Sequence, residues 1–288
     1  MNKLEFIVLM FGARRTGKTS VLASMLTNFQ EVAAGTNVSF TPETKTMVKL
    51  QEKREELEHV FNSKTCDSVW EIDPSPTSEV AVYSFKMNMK NTVNEYEVKF
   101  VDMPGEFIND AGNIIEVQEW LMKSDVVIIA IDTPHMMEEN GKFNEAFNKT
   151  MILHHLFVDS KQFYETGKML LFVPLKCEKY YHENRMNEVN QAVKRSYQTI
   201  IAHMGNPNVS SKITMAITPI LTMGDVVFSH FGLNNRKLIE TIDLGGEKYR
   251  PRHVYYKLRN RDARFSPKYC EQPLVYTLTY ISKVLQSK

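Results

Sequence analysis

Residues 12–20 read Gly-Ala-Arg-Arg-Thr-Gly-Lys-Thr-Ser, with four residues between two glycines and then a lysine and a hydroxyl side chain. The spacing G-x-x-x-x-G-K-[ST] suits a phosphate cradle. Glycines let the backbone curl so that the N–H groups of Ala13, Arg14, Arg15, Thr16 and their neighbours point inward at phosphate oxygens, and a helix leaving the turn adds its positive dipole end. Lys18 then neutralises the β- and γ-phosphates and the Thr19 hydroxyl ligates Mg²⁺. The alternative is a plain strand-to-helix turn with an exposed lysine.

A second constellation is Asp102-Met103-Pro104-Gly105-Glu106. Asp102 ends an apolar run. A carboxylate at the tip of a strand beside the phosphate loop can hold Mg²⁺ through water, and the Gly105 N–H can bond the γ-phosphate. The third is Leu175-Lys176-Cys177-Glu178, after another apolar run. In GTPases an Asn-Lys-x-Asp loop at this place reads guanine, with the lysine stem over the ring and the carboxylate accepting from the base. Here Lys176 and Glu178 stand in the corresponding positions and Leu175 replaces the Asn. The plain alternative is a surface turn.

These residues need elements to position them. Apolar strand patterns at 4–11, 79–89, 96–102, 125–132, 168–175 and 213–220 alternate with helical patterns at 18–33, 113–123, 140–158 and 183–203. Such alternation predicts an α/β fold with a mostly parallel sheet. Residues 79–102 contain two alternating runs joined by a polar turn with Asn91 and Asn94, a hairpin that places one antiparallel strand directly before Asp102. Residues 35–78 form a long connection with a helix at 42–61 and an irregular remainder. After residue 222 the pattern gives way to turns, a basic aromatic stretch and a final helix near 271–286. One domain over 1–288, with 35–78 as an insert and 223–288 as a C-terminal extension, is the simplest organisation.

Composition bounds the rest. The 288 residues carry 35 Lys and Arg against 34 Asp and Glu, a net charge of +1, so attraction to a polyanion would have to come from a local patch. Cys66, Cys177 and Cys270 lack paired spacing, which argues against a disulfide framework or a zinc site and for a reducing compartment. No apolar stretch is long enough to span a bilayer, and the first residues include an acidic side chain and no small-residue cleavage site. A cytoplasmic location is the expectation.

With these motifs in this order, residues 4–222 resemble the P-loop GTPases of the translation-factor and Ras-like (TRAFAC) class, a three-layer α/β sandwich. "DMPGE" and "PLKCE", with "CEQPL" at 270–274, resemble most the divergent bacterial branch called double-GTPase or conflict-system GTPases. The resemblance implies GTP and GDP as ligands and Mg²⁺ as cofactor. It also implies a role for Arg15: guanylate-binding proteins carry an arginine in the matching position that swings over the phosphates, and such a guanidinium contributes on the order of 10³–10⁵ in rate. The other reading of Arg14 and Arg15 is a contact with solvent or with an acidic partner surface. Glu106 stands where relatives place a water-orienting Gln. A carboxylate there is repelled by a γ-phosphate, which implies either a slow basal rate or a Glu106–Arg pair that rearranges on activation. The switch threonine, which would close on Mg²⁺ and the γ-phosphate, is assigned to Thr77, with Thr36 and Thr41 as alternatives.

Other signals are weaker. Residues 248–268 hold eight Lys and Arg against one acidic residue, interleaved with aromatic rings, which fits a solvated hairpin or protein interface better than a nucleic-acid site. His154 and His155 read as one core and one surface histidine, and the charges of 134–140 as solvent-facing. The leading expectation is a Mg²⁺-dependent GTP-binding and GTP-hydrolysing switch acting on a protein partner, with nucleotide-dependent dimerisation plausible. An ATPase or small kinase of the same fold, and a non-hydrolysing nucleotide-binding module, are the alternatives.

Overall fold

A computed structural model describes residues 5–25, 38–71, 79–89, 94–110, 112–160, 167–206, 213–232, 242–244, 247–249 and 253–287. Strand β1 (Glu5–Phe11) runs into the phosphate loop, and helix α1 (Lys18–Met25) leaves it. Then follow β2 (Val38–Pro42), α2 (Thr44–Asn62), β3 (Val69–Glu71), β4 (Ala81–Met89), β5 (Glu95–Asp102), α3 (Ile114–Lys123) and β6 (Val126–Asp132). Helices α4 (Thr133–Met137), α5 (Asn144–Asn148) and α6 (Thr150–Asp159) lead to β7 (Lys168–Leu175), and α7 (Glu178–His182), α8 (Met186–Ser196) and α9 (Gln198–Met204) to β8 (Ile213–Ile217). The C-terminal part contributes β9 (Val226–Gly232), β10 (Ile242–Leu244), β11 (Glu247–Tyr249), β12 (His253–Leu258) and α10 (Gln272–Gln286).

Among the described residues the main sheet has seven strands in the order β2-β4-β5-β1-β6-β7-β8. Strand β4 alone runs against the rest, paired antiparallel to both β2 and β5. The other contacts are parallel. Along β1 the period of two divides the side chains between two cores. Phe6, Val8 and Met10 face a layer that includes Leu22, Leu50, Leu274, Leu278 and Ile281. Ile7, Leu9 and Phe11 face Leu121, Leu153, Phe157 and Val193. Strands β6 and β7 are buried at every position, as parallel strands covered on both faces must be, which explains their unbroken apolar runs. The result is a three-layer α/β sandwich, mostly parallel with one reversed strand.

Several elements differ from the sequence expectation. Residues 38–42, expected in the long connection, form edge strand β2, and Pro42 ends that strand instead of opening the helix. The expected helix 140–158 is two helices, broken where Lys149 takes a left-handed φ of 55°. The expected helix 183–203 starts at Met186 and breaks at Tyr197, whose ring is fully buried. Strand β8 ends at Ile217. Thr218 and Ile220 continue bonding to the carbonyls of Phe172 and Pro174 without strand geometry. Helix α1 is described to Met25, and the remainder of the expected 18–33 span lies outside the described residues, as does the hairpin turn at Asn91.

The irregular part of 35–78 contains β3, which pairs with β12 from the C-terminal stretch, and β12 pairs with β9. This three-stranded sheet encloses its own core of Phe61, Trp70, Met223, Val226, Val254 and Tyr256. Part of the basic stretch is thus the central strand of a small sheet. His154 is half-buried and His155 exposed.

Candidate functional site

The phosphate loop joins the C-terminal end of β1 to α1, beside the ends of β5, β6 and β7. Gly12 has φ 152° and Gly17 φ 106°. A Cβ on Gly12 would lie 2.7 Å from the Ala130 carbonyl oxygen, so the loop passes β6 at a distance only glycine permits. Thr16 closes a turn inside the loop, both its N–H and its hydroxyl donating to the Ala13 carbonyl. Ser20 is buried in the first turn of α1.

Lys18 is 7% exposed, and its ammonium donates to the carbonyls of Gly12 (2.9 Å) and Ala13 (3.2 Å). Burial pushes its pKa down, opposed by the carboxylates of Asp102 and Glu106. A buried ammonium bonded to carbonyls is a site for an anion. Asp102, at the end of β5, accepts from the Thr19 hydroxyl at 2.5 Å. Two hard oxygen donors thus meet next to the lysine, and they suit a divalent cation such as Mg²⁺.

The 103–106 segment lies directly on the loop. A Cβ on Gly105 would fall 2.1 Å from the Arg14 amide nitrogen and 2.4 Å from the Ala13 carbonyl carbon. Glu106 and Arg14 form an ion pair at 2.9 Å, half-exposed on both sides, so the carboxylate that would face a γ-phosphate has a cation beside it.

Arg15 takes a left-handed φ of 63°. Its carbonyl accepts from Lys176 at 2.8 Å. Its guanidinium does not turn over the loop. It reaches the three-stranded sheet, with Nη1 2.8 Å from Nδ1 of His253 on β12 and 3.6 Å from Oε1 of Glu71 on β3. Glu71 and His253 are also hydrogen-bonded to each other.

Lys176 also donates to Asp132 Oδ2 at 2.6 Å, tying the end of β6 and the loop after β7 to the phosphate loop. Asp132 accepts from the His135 N–H and pairs with His135 Nδ1 at 2.7 Å, which makes it the cap of α4. Burial pushes the Asp132 carboxyl up, but Lys176 and His135 outweigh it and hold it well below the usual range. His135 is 2% exposed and stacked on Phe147. Glu138 likewise accepts from Lys179 and Tyr180.

Glu178 is 1% exposed, so it is not part of a surface turn. Nor is it turned outward as a base reader would be. Its Oε1 accepts from the Met223 N–H (2.8 Å) and the Thr222 hydroxyl (3.1 Å), while Oε2 is buried with no hydrogen-bond partner among the described residues. Burial raises its pKa against those donors. Of the switch threonine candidates, Thr77 and Thr36 lie outside the described residues, and Thr41 is exposed on edge strand β2.

The structure therefore brings the backbone of Gly12 to Ser20 together with Asp102, Gly105, Glu106 and Lys176, while the Arg15 guanidinium and the Glu178 carboxylate make other contacts. Sequence reasoning missed Asp132, His135, Glu71 and His253. Asp132 had a signal, because it ends an apolar run as Asp102 does. Glu71 and His253 had none, because their meeting depends on strands far apart in the chain.

Among the described residues no helix is long and apolar enough to cross a membrane. No curated protein matches the chain. Among solved structures it is similar to the signal recognition particle receptor SRb-GTP/SRX complex from Chaetomium thermophilum, at 13% identity and TM-score 0.42, covering 78% of this chain and 94% of that one. It is also similar to the S. cerevisiae Ski7 GTPase-like domain bound to GTP (16% identity, TM-score 0.40, 75% of this chain), and spans only 43% of that chain's length. The family model of Double-GTPase 2 matches residues 7–219, and the chain belongs to that family of divergent P-loop GTPases.

Proposed function

We propose that this protein is a Mg²⁺-dependent GTP-binding and GTP-hydrolysing switch that passes its nucleotide state to a protein partner. The observation that carries this reading is the buried Lys18 ammonium, donating to the Gly12 and Ala13 carbonyls within a loop of positive-φ glycines. Family membership supports GTP as the nucleotide. In this reading the loop N–H groups and Lys18 bind the β- and γ-phosphates, and the Gly105 N–H meets the γ-phosphate. Thr19 and Asp102 would hold Mg²⁺, which supplies charge neutralisation between the phosphates. Arg14 holds Glu106 off the γ-phosphate until the 103–106 segment rearranges.

One observation favours a second reading, a less base-selective or ATP-handling enzyme. Glu178 is engaged by Thr222 and Met223, and Leu175 offers no amide to a base. Phosphate release over many turnovers from GTP and from ATP, in magnesium buffer, tests both. We expect turnover of GTP in preference to ATP, abolished in Lys18→Ala. Equal rates with the two nucleotides would favour the second reading, and release unaffected by Lys18→Ala would remove the phosphate loop from the chemistry.

A further inference from the structure

Arg15 sits where the backbone favours glycine. A left-handed φ at a residue with a side chain costs about 1–2 kcal/mol, and it persists only where surrounding contacts over-determine it. A loop that needed only its N–H groups would be served better by glycine, and the contacts of the Arg15 carbonyl and guanidinium are what offset the strain here. That guanidinium ends on the three-stranded sheet, against Glu71 (3.6 Å) and His253 (2.8 Å).

The arrangement differs from a permanent structural ion pair in one respect. Removing one partner of a buried ion pair normally strands the other charge. Here Glu71 has a second partner in His253 Nδ1, which lies against the same Oε1; one ring nitrogen cannot accept from Arg15 and donate to Glu71 at once, so its N–H serves Glu71 when Arg15 is away. When Arg15 leaves, Glu71 keeps a hydrogen bond, and departure is correspondingly easier. Glu71 and His253 come from strands on either side of the fold in sequence, β3 in the insert and β12 near the C-terminus, and both reach the one arginine that the phosphate loop extends toward them. Lys176 fixes the Arg15 carbonyl from the other side, so the side chain can move without the backbone.

We propose that Glu71 and His253 are positioning residues for Arg15: Glu71 parks the guanidinium on the three-stranded sheet, His253 keeps Glu71 satisfied when the arginine leaves, and GTP turnover rises on release. A carboxylate paired with the guanidinium cancels the charge that would otherwise stabilise the transferring phosphoryl group. Anything that displaces β3 or β12 would then be communicated to the phosphate loop through one side chain. This inference rests on the GTP-hydrolysing reading above.

The test is single- and double-variant kinetics on the intact chain, with binding of a fluorescent GTP analogue measured in parallel. Glu71→Gln preserves side-chain volume and removes the charge. We expect its kcat to rise up to about fivefold, the upper end of what a partly exposed ion pair contributes, with analogue affinity unchanged. In an Arg15→Ala background the same substitution should change nothing. Glu71→Asp, which withdraws the carboxylate, should give a smaller gain through the same arginine, and it serves as the reading if Glu71→Gln melts before assay temperature. A fall in kcat, no change, or a gain that survives in Arg15→Ala overturns the proposal. Absence of turnover in both wild type and Glu71→Gln also overturns it, and absence of analogue binding as well overturns the GTPase reading itself.

Discussion

At the scale of single residues, two positions separate chemistry from packing. Gly105 touches the phosphate loop through backbone atoms alone, and the atoms an added methyl would meet cannot move aside independently. Gly105→Ala must therefore lift the 103–106 segment off Ala13 and Arg14. A displacement of about 1 Å at a reacting centre costs on the order of a hundredfold. We expect GTP turnover to fall by about that factor while GDP binding, which the proposed reading gives to Lys18 and the loop amides, changes far less; equal loss of both would make Gly105 a folding residue. Glu178 gives the opposite case. Its folded pKa is raised, so ionised Glu178 lowers stability once pH exceeds its ordinary carboxylate value. Glu178→Gln should raise the melting temperature at pH 7 to 8, and the gain should disappear as pH falls toward 4. A gain independent of pH would contradict the assigned cause. Both residues were visible in the sequence as motif members. Their surroundings were not, since neither the contact of Gly105 with Arg14 nor that of Glu178 with Met223 follows from local spacing.

At the scale of elements, legibility followed the range of the forces involved. Strands β1, β6 and β7 could be read from their apolar runs because burial on both faces leaves no polar position. The reversal of β4 could be read because a short turn cannot reach a parallel partner. Strands β2 and β3 could not, for opposite reasons. Strand β2 is an edge with alternate residues exposed, and β3 has three residues whose pairing partner lies near the other end of the chain. The breaks at Lys149 and Tyr197 interrupt otherwise continuous helical patterns, and only tertiary packing reveals them. Helix α10 looked like an appendage in the sequence, yet Leu274, Leu278 and Ile281 lie in the same core as β1. Leu278→Ala should therefore cost about 2–5 kcal/mol in denaturant unfolding of the whole chain, as core leucines do. A cost near zero would show that α10 unfolds separately.

At the scale of the whole molecule, the parallel sheet brings the C-terminal ends of β1, β5, β6 and β7 to one edge, and each contributes to the site. The phosphate loop follows β1, Asp102 ends β5, Asp132 ends β6 and Lys176 follows β7. Ligands of open α/β sheets bind at this edge, where helix N-termini and loop amides converge. The three-stranded sheet adds a second body in contact with that edge through Arg15. In the proposed function the phosphate loop of this molecule holds a guanine nucleotide through Lys18. Titration of a fluorescent GTP analogue in magnesium buffer, with unlabelled GTP and ATP as competitors, measures that directly. Wild type should bind saturably, with GTP reversing binding at lower concentration than ATP, and Lys18→Ala should bind at least about thirtyfold more weakly, the loss expected when one partner of a buried charge contact is truncated. Undiminished binding in Lys18→Ala, or no binding by wild type, would contradict the proposed function.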